Sequence, residues 1–311
     1  MTKLNYSKAN SLFVLQNLPG AVIVLDPDNG EVQNVISLPN GDAPDGVQVD
    51  VPSNSIYWTN MGAPSPGNFE VFPNPDGAIE RCDLDGRNFK VLTKKGAFVT
   101  PKQMQLDAAN GLIYWCDREG MGIYRCRTDG SALTLLLRTG QWPKDTNDVF
   151  RHCVGIALDV ANGYLYWTQK GPPDGGRGRI FRMGIHLPSN ATPQTRTDVQ
   201  LLIDNLPEPI DLEIDHDRRQ LYWTDRGANA SGGNTLNRAD ITARGLENPR
   251  ILANGLKEAI GITLDLKRQR AFVADLSGAV YVVPMDGGKF KTIYQCAGPA
   301  TGVTFVPAGG V

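Results

Sequence analysis

Short runs of aromatic and β-branched residues return along the chain roughly 50 residues apart, and each run ends in a polar residue or an aspartate before a turn. Four copies are nearly complete, and they cover residues 55–60 (SIYWTN), 112–117 (LIYWCD), 164–169 (YLYWTQ) and 220–225 (QLYWTD). Two weaker copies cover residues 11–16 (SLFVLQ) and 270–275 (RAFVAD). Such residues suit a half-buried, pleated strand. The return of one strand therefore predicts a repeat architecture.

Each repeat predicts four strands, which we name A to D in chain order. In the clearest copy they span residues 211–215, 221–225, 235–240 and 250–253. Strand A returns at residues 47–50, 104–107, 155–159 and 261–265, and an aspartate ends all five copies. We expect each of these carboxylates to accept hydrogen bonds from the amides of the turn that follows it.

Strand C carries an arginine at one fixed position in four repeats, at Arg81, Arg125, Arg182 and Arg238. A planar guanidinium is well suited to stacking and to pairing with carboxylates. Because the arginine returns with the repeat, we interpret it as a scaffold residue that stacks or forms ion pairs between neighbouring repeats. The alternative is that it contacts a ligand.

The two ends of the chain supply the parts of one further repeat. Strands B, C and D come first, at residues 12–15, 21–25 and 31–36, and a lone strand A comes last, at residues 301–306. Pairing of the two ends would close the ring and hide the edges of its sheets. The sequence therefore predicts an all-β fold: a six-bladed β-propeller of four-stranded antiparallel blades, in a single domain over residues 1–311.

The repeated Tyr-Trp-Thr-Asp strand resembles the YWTD β-propellers of the low-density lipoprotein receptor class, over nearly the whole chain. The resemblance implies the six-bladed fold, but a propeller is a scaffold for many unrelated activities. Two features depart from the receptor class. No cysteine-rich modules flank the repeats, and we find no secretion signal in the first residues.

Composition narrows the range of partners. A net charge of −2 and an isoelectric point near 6.0 give no basic surface for nucleic acid. No apolar run approaches the ~18 residues of a membrane span. The 5 cysteines are an odd number without zinc-like spacing. We therefore expect reduced thiols and a cytoplasmic monomer, with no cofactor, metal, nucleic-acid or membrane partner.

The strand directions place the long insertions. If strand A runs downward, the B–C and D–A loops share the upper face of the ring. The insertions at residues 62–76, 140–152, 170–178 and 226–233 fall on that face, whereas the insertion at residues 187–198 falls below. Long loops on one face of a rigid scaffold usually carry function. The sequence thus predicts the functional pocket at the upper mouth of the central channel.

Candidate catalytic residues lie at the start of strand A and on the loops beside it. One position around the ring reads Gly46, Gln103, Gly155, Asp211, Gly261 and Gly302. Gln103 and Asp211 therefore place polar side chains where the other repeats have glycine, and Lys102 and His152 lie on neighbouring loop ends. Together these groups can donate hydrogen bonds and transfer protons. The alternative is that Gln103 and Asp211 form a buried polar plug.

Candidate ligand contacts surround these residues on the same face. They are Asp45, Glu208, Glu258, Trp142, Phe150 and Thr301. Asp45, Glu208, Glu258 and Thr301 lie where loops enter strand A, and the two aromatic residues lie on an upper insertion. The alternatives are that Glu208 and Glu258 are solvated loop charges, and that Trp142 and Phe150 pack the insertion onto the ring.

We interpret the chain as a small-molecule enzyme with an apolar substrate in the channel pocket. Stand-alone propellers of this size resemble fungal natural-product proteins, including those implicated in hetero-Diels–Alder cyclisation of tropolone–terpenoid precursors. That resemblance implies a cyclase which joins a quinone methide to an alkene. Two alternatives stay open, namely a non-catalytic propeller that binds a protein or ligand, and a lactonase-like hydrolase with an axial Glu/Asn/Asp set.

Overall fold

A computed structural model of the chain describes residues 9–39, 43–68 and 71–309. Within these residues, six sheets of four antiparallel strands are arranged as blades around a ring. The predicted six-bladed β-propeller is therefore confirmed. Helical structure in the described part of the chain is limited to 3-10 turns at Val149–Arg151, Val160–Asn162 and Asn229–Ser231, and none of it is long and apolar enough to cross a membrane.

Both ends of the chain build blade 1, as the sequence predicts. Its innermost strand is β24 (Ala300–Val306), which pairs with β1 (Ser11–Gln16), and β2 (Ala21–Leu25) and β3 (Val32–Ser37) follow outward. In this pairing Phe13 lies opposite Thr304. The ring is thus closed by backbone hydrogen bonds between residues that lie at opposite ends of the sequence.

The other five blades each use consecutive strands, with the first strand innermost. Blade 2 contains β4 (Pro44–Asp50), β5 (Ser55–Asn60), β6 (Ala78–Asp83) and β7 (Lys90–Val91). Blade 3 contains β8 (Pro101–Asp107), β9 (Leu112–Asp117), β10 (Gly122–Arg127) and β11 (Thr134–Arg138). Blade 4 contains β12 (Ile156–Asp159), β13 (Tyr164–Gln169), β14 (Gly178–Gly184) and β15 (Gln200–Leu206). Blade 5 contains β16 (Glu208–Asp215), β17 (Gln220–Arg226), β18 (Thr235–Ile241) and β19 (Leu246–Asn254). Blade 6 contains β20 (Ala259–Asp265), β21 (Arg270–Asp275), β22 (Ala279–Pro284) and β23 (Lys291–Gln295).

The tyrosine and tryptophan of each motif pack into different interfaces between blades. Successive side chains of a strand point to opposite faces of the sheet. Accordingly, Tyr57 of blade 2 packs with Trp115 of blade 3, and Tyr166 of blade 4 packs with Trp223 of blade 5. Burial of each such side chain stabilises the fold by about 1.5–3 kcal/mol. The repeated aromatic pair therefore joins every blade of this series to both of its neighbours.

The threonine of the motif links the inner strands of consecutive blades. Thr168 Oγ1 accepts a hydrogen bond from Gly155 N at 2.7 Å and donates one to the carbonyl of Ile210 in blade 5 at 2.7 Å. Thr224 likewise donates to the carbonyl of Ile260 in blade 6 at 2.6 Å. In blade 3 the thiol of Cys116 takes this place.

The aspartates fix the turns at both ends of the inner strands. At the upper end, the motif residue Asp225 accepts hydrogen bonds from Glu208 N and Trp223 Nε1, both at 2.8 Å. At the lower end, the prediction of turn-capping carboxylates is confirmed for four of the five copies, in which Asp50, Asp107, Asp215 and Asp265 accept hydrogen bonds from backbone amides. Asp159 differs, because it accepts from the side chains of Asn162 and Arg219.

Four inner strands begin two or three residues earlier than the sequence predicts. The pairing shifts register between Pro44 and Val47 in blade 2, and between Pro101 and Met104 in blade 3. Similar shifts occur in blades 5 and 6. A bulge adds a residue to one strand and changes the direction of its side chains. These bulges extend the inner strands up to the mouth of the channel.

The insertion at residues 187–198 reaches further than predicted. It leaves blade 4 from the lower end of β14, but Pro193 accepts a hydrogen bond from Arg138 N at 2.9 Å, and Arg196 Nη1 donates to Leu136 O at 2.8 Å. Both partners lie on β11, the outermost strand of blade 3. The insertion therefore covers part of an exposed sheet edge, and placing it wholly below the ring was wrong.

The five cysteines are free and buried. Burial raises the pKa of the Cys82 and Cys126 thiols to about 12. The thiolate is the reactive form of cysteine, so these two thiols are inert parts of the core at neutral pH.

Candidate functional site

On one side of the upper channel mouth, the predicted residues of blades 1 to 3 form a buried polar network. Lys102 Nζ lies 3.5 Å from Asp45 Oδ1, and Gln103 Nε2 donates to Asp45 Oδ2 at 3.3 Å. Thr301 Oγ1 donates to the carbonyl of Pro44 at 3.0 Å. Most of the polar atoms of these side chains therefore already have partners within the protein.

Two further ion pairs lie at the mouth, between blades 4 and 6. Lys170 Nζ is 3.0 Å from Glu208 Oε2, and Asp174 N donates to the other carboxylate oxygen at 2.8 Å. Arg226 pairs with Glu258 at 2.5 Å. Glu208 is only 3% exposed, whereas the side chain of Glu258 is 41% exposed. The interpretation as a solvated charge is therefore wrong for Glu208.

Burial lowers the pKa of Lys102 to about 8, although the nearby Asp45 carboxylate opposes the shift. The ammonium also contacts Met61 Sδ at 2.8 Å and lies 5.8 Å from the centre of the Phe72 ring. An amine with a pKa near neutrality can exchange a proton at physiological pH. Lys102 is thus chemically suited to the predicted role, but its surroundings are crowded.

His152 ends the insertion at residues 140–152 and is buried. Its Nε2 atom lies 2.9 Å from the carbonyl of Thr146, and because a carbonyl only accepts, Nε2 carries the hydrogen. Burial lowers the pKa of His152, while Glu119 opposes this shift. The imidazole therefore ties the end of the insertion to its middle.

Lower in the channel, a hydrogen bond crosses from blade 3 to blade 5. Gln105 Nε2 donates to Glu213 Oε1 at 3.1 Å, and burial raises the pKa of Glu213 to about 7. Burial, together with Glu213, raises the pKa of Asp211 well above its ordinary value. Asp211 Oδ2 accepts a hydrogen bond from Ile262 N of blade 6 at 3.1 Å. This geometry is that of a polar plug which joins two blades.

The remaining wall of the mouth is apolar, which sequence reasoning missed. Val154, Ile210 and Ile260 form a buried cluster, and Leu276 packs against it. Val154, Ile210 and Ile260 occupy the same position in blades 4, 5 and 6. It comes directly before the position that is glycine in most blades and Asp211 in blade 5. Alignment of that position around the ring would have revealed the division of the mouth into polar and apolar sides.

A cavity of about 860 Å³ lies beside the channel mouth, and we name it the upper cavity. The 140–152 insertion forms one wall, and the loop at residues 96–99 forms another. The lining residues include Phe98, Val99, Asp117, Tyr124, Arg138, Trp142 and Arg151. Apart from Trp142, no predicted site residue lines it.

Arg138 is the cationic group of the upper cavity without a carboxylate partner. Its Nη1 atom donates to the carbonyl of Gly120 at 3.0 Å, and its Nη2 atom lies 3.2 Å from the Tyr124 hydroxyl. Arg138 forms no ion pair with any described residue. Arg151, in contrast, pairs with Asp148 at 2.8 Å. The cavity therefore offers one guanidinium and one phenol to an oxygen-bearing ligand.

Asp117 also lines the upper cavity, and burial raises its pKa to about 6. Burial raises the pKa of Asp225, at the same motif position of blade 5, to about 7. Two copies of the repeated motif therefore share this shift. The Asp117 carboxylate already accepts hydrogen bonds from the amides of Val99, Thr100 and Gly120, which identifies it as a scaffold residue.

The two predicted aromatic contacts are separated in the structure. Trp142 is half-buried in the wall of the upper cavity. The ring of Phe150 lies 4.6 Å from the guanidinium of Arg177, and its carbonyl accepts a hydrogen bond from Arg179 at 2.7 Å. Phe150 thus packs the insertion onto blade 4, which agrees with the alternative interpretation in the sequence analysis rather than with a ligand contact.

Sequence reasoning did not select Tyr124 or Arg138. Tyr124 stands directly before the repeated arginine of strand C, at a position occupied in other blades by Glu80, Phe181 and Asn237. This variation within a repeat was the available signal. Arg138 ends strand D just before the long insertion, and nothing in its local sequence marks it.

The described residues, 9–39, 43–68 and 71–309, contain no group of three or more His, Cys, Asp or Glu side chains placed to hold a metal ion. The lactonase-like alternative needs an axial Glu/Asn/Asp set. The acidic side chains that the sequence offers for such a set, Glu208, Asp211 and Glu213, are engaged separately with Lys170, Ile262 N and Gln105.

Comparison with known proteins finds two long matches. No family model matches the chain. A protein of Pyricularia oryzae named low-density lipoprotein receptor-related protein 1 is 40% identical over 300 residues, which are 92% of each chain. The 3-hydroxyacyl-CoA dehydrogenase-like protein LAM1 of Cochliobolus heterostrophus is 38% identical over 84% of this chain, but the match spans only 55% of LAM1.

Solved structures share the fold. A chain of a nidogen–laminin complex superimposes with a TM-score of 0.72 at 18% identity, covering 96% of this chain and 99% of its own. TolB from Acinetobacter baumannii superimposes with a TM-score of 0.61 at 15% identity, covering 97% and 68% respectively. At these identities the likeness concerns the architecture alone.

Proposed function

We propose that this chain, which belongs to the family of low-density lipoprotein receptor-related YWTD propellers, is a small-molecule enzyme whose substrate occupies the upper cavity. One observation carries the proposal. The guanidinium of Arg138 lies in a cavity of about 860 Å³, beside the Tyr124 hydroxyl, without an ion pair to any described residue. Ligand pockets commonly measure roughly 300–1,000 Å³ and combine apolar walls with a few polar groups.

The lining would select an aromatic substrate that carries a carbonyl oxygen. Polar groups predominate in the lining and Trp142 adds an aromatic surface, whereas Phe98 and Val99 are almost fully buried. The guanidinium of Arg138 donates hydrogen bonds to a ligand oxygen but does not act as an acid. Burial raises the pKa of Tyr124, so its hydroxyl also stays protonated and can donate. The substrate oxygen would lie between these two donors.

The reaction proposed is a hetero-Diels–Alder cyclisation. A hydroxymethyl-substituted phenol or tropolone loses its carbon-bound hydroxyl and its ring hydroxyl proton as water, which leaves a quinone methide. The terminal carbon and the oxygen of this heterodiene then bond to the two alkene carbons, with no net gain or loss of protons. Donors at the oxygen stabilise the charge that develops there, and the cavity orients the two reactants.

Three features support this reaction class. The upper cavity can hold two joined reactants, its donors Arg138 and Tyr124 lie 3.2 Å apart, and the two long matches come from fungi. A cycloaddition needs orientation and hydrogen bonding rather than a nucleophile. These are the contributions that Trp142, Tyr124 and Arg138 can make.

The test uses the purified full chain with a 2-hydroxybenzyl alcohol as quinone-methide precursor and a cyclic alkene. We expect the adduct to form faster than in buffer and as one stereoisomer, measured by chiral chromatography. Arg138→Met should remove most of the acceleration. Arg151→Met is the matched control, because Arg151 lines the same cavity but is already paired with Asp148. A racemic adduct at the uncatalysed rate would refute the proposal.

Two other outcomes would favour a different function or a different location of the site. Tight binding of precursor or adduct without acceleration would favour the non-catalytic binding alternative. Loss of activity in a folded Lys102→Met variant, with Arg138→Met fully active, would place the substrate at the channel mouth, where the sequence analysis expected it.

A further inference from the structure

The lower face carries a second cavity, of about 480 Å³, which we name the lower cavity. It lies between blades 3 and 4, and its Arg125 stands on the opposite face of β10 from Tyr124 of the proposed active site. Its lining also includes Arg127, His186, Leu112, Val160 and Ile185. Apart from the repeated Arg125, these side chains have been given no role above.

The repeated arginine of strand C is engaged differently in different blades. Arg182 of blade 4 donates to the carbonyls of Thr242 and Ala243 in blade 5, both at 3.3 Å. Arg238 of blade 5 donates to the carbonyl of Met285 in blade 6 at 3.2 Å. These two arginines act as scaffold residues, since each joins its blade to the next, but they do so by hydrogen bonds to backbone carbonyls rather than by the predicted stacking or ion pairs. Arg81 pairs within its own blade, with Asp83 at 2.9 Å.

Arg125 is the exception because the insertion at residues 187–198 has taken over its partner. Ile185 and Ile241 donate equivalent backbone hydrogen bonds, to the carbonyls of Gly163 and Arg219. His186 is therefore the equivalent of Thr242, and its carbonyl is the equivalent partner for Arg125. This carbonyl instead accepts a hydrogen bond from Arg196 of the insertion, at 3.2 Å. Arg125 forms no ion pair with any described residue, and its guanidinium lines the lower cavity beside Tyr114.

The lower cavity carries excess positive charge. Arg127 follows Arg125 by two residues on the same face of β10, about 7 Å further along the strand. Asp107 is the one carboxylate in the described lining, and Asn110 already donates to it from its amide side chain at 2.7 Å and from its backbone at 3.1 Å. The lining therefore has two guanidinium groups and one carboxylate, and that carboxylate already accepts hydrogen bonds from Asn110.

We propose that the lower cavity is a binding site for a small organic phosphate monoester. The phosphate would accept hydrogen bonds from Arg125 and Arg127, with the exposed imidazole of His186 at the rim. Its dianionic charge matches two guanidinium groups better than a carboxylate does. The organic part of the ligand would lie against Leu112, Val160 and Ile185.

Isothermal titration calorimetry with phenyl phosphate at fixed ionic strength tests this site, and benzoate and sulfate serve as comparison ligands. We expect one phenyl phosphate to bind saturably per protein, and benzoate and sulfate to bind more weakly. Arg125→Gln should weaken the affinity about ten-fold or more, because a hydrogen-bonded charge is removed. Arg238→Gln is the matched control. It removes the same repeated arginine where it joins two blades, so the melting temperature should fall while the affinity stays unchanged.

Three results would overturn the proposal. The first is no binding of phenyl phosphate to the wild-type protein, and the second is equal affinity in wild type and in Arg125→Gln. The third is benzoate binding as tightly as phenyl phosphate, which would rule out selection of a dianion. Arg125 directly follows Tyr124 on β10, but successive side chains of a strand point to opposite faces of the sheet. Substitution of Arg125 is therefore expected to leave cyclisation activity unchanged.

Discussion

The channel mouth and the upper cavity lie side by side on one face of the ring, but they differ in how their charges are satisfied. At the mouth, Lys102, Lys170 and Arg226 each have a carboxylate partner at 3.5 Å or less. In the upper cavity, Arg138 has neutral partners only. Both regions hold perturbed ionisable groups, yet only the upper cavity combines a cationic donor with space for a ligand.

This difference shows that a shifted pKa alone does not locate an active site. The strongly shifted carboxylates Asp211 and Asp225 are engaged in holding blades and strands together. A charged side chain that has only neutral partners and lies beside a cavity therefore indicates a binding site better than a carboxylate whose pKa is raised but whose hydrogen bonds are all made within the protein.

The largest expected effect is on stability at the mouth. Lys102→Met should lower the free energy of unfolding by about 3 kcal/mol, because it leaves the Asp45 carboxylate buried without its ammonium partner. Urea unfolding measures the change. Cyclisation activity per folded molecule should stay the same. The double variant Lys102→Met/Asp45→Asn should recover much of the lost stability, and unchanged stability in Lys102→Met would contradict the closed-network interpretation.

The next largest effect concerns activity in the upper cavity. Arg138→Met should lower kcat/KM about 100-fold, the usual loss when a donor to a developing oxyanion is removed. Its free energy of unfolding should change by less than about 1 kcal/mol, because its partners are neutral and partly exposed. Steady-state kinetics and urea unfolding together test this. A large loss of stability with normal kcat/KM would contradict this prediction, because Arg138 would then serve the fold in the way proposed for the residues of the channel mouth.

A smaller effect is the pH dependence of stability that Glu213 contributes inside the channel. Its folded-state pKa of about 7 exceeds the ordinary 4.5, so the folded protein holds a proton that the unfolded chain releases. This contribution is complete below about pH 4.5 and is lost as the pH rises through 7.

Comparison with Glu213→Gln measures that contribution. Between pH 5 and 7.5 the wild-type melting temperature should fall more steeply than that of the variant. The difference should correspond to about 1–2 kcal/mol. This is less than the full pKa shift would give, because Glu213 is half-buried and solvent screens part of the effect. Parallel curves would mean that this carboxyl group does not hold an extra proton in the folded protein.

The smallest effect expected is on substrate affinity. His152→Ala removes the hydrogen bond to the Thr146 carbonyl that holds the insertion carrying Trp142. Loss of one such bond should raise KM about five-fold without changing kcat. His186→Ala, on the lower face, is the control and should leave KM unchanged. A fall in kcat with normal KM would instead assign His152 to the chemistry.

The sequence by itself determined the ring, its blade number and the strand that closes it. Tyr166 and Trp167 reveal why: they are neighbours on one strand and pack on opposite faces of the sheet, and this local periodicity can be read without tertiary contacts. It also located the residues of the mouth, because their positions are fixed relative to the repeat. Bulges at Pro44 and Pro101 were missed, since a bulge leaves no mark in the hydrophobic pattern.

Only the tertiary structure decided which of these polar groups are engaged. Glu208 and Glu258 occupy the same position of their repeats, yet one is buried with Lys170 while the other is 41% exposed. The upper cavity likewise brings together Phe98, Trp142 and Gln194, which come from different blades and an insertion. The charge and room at a site depend on neighbours that are distant in sequence, so no local pattern encodes them.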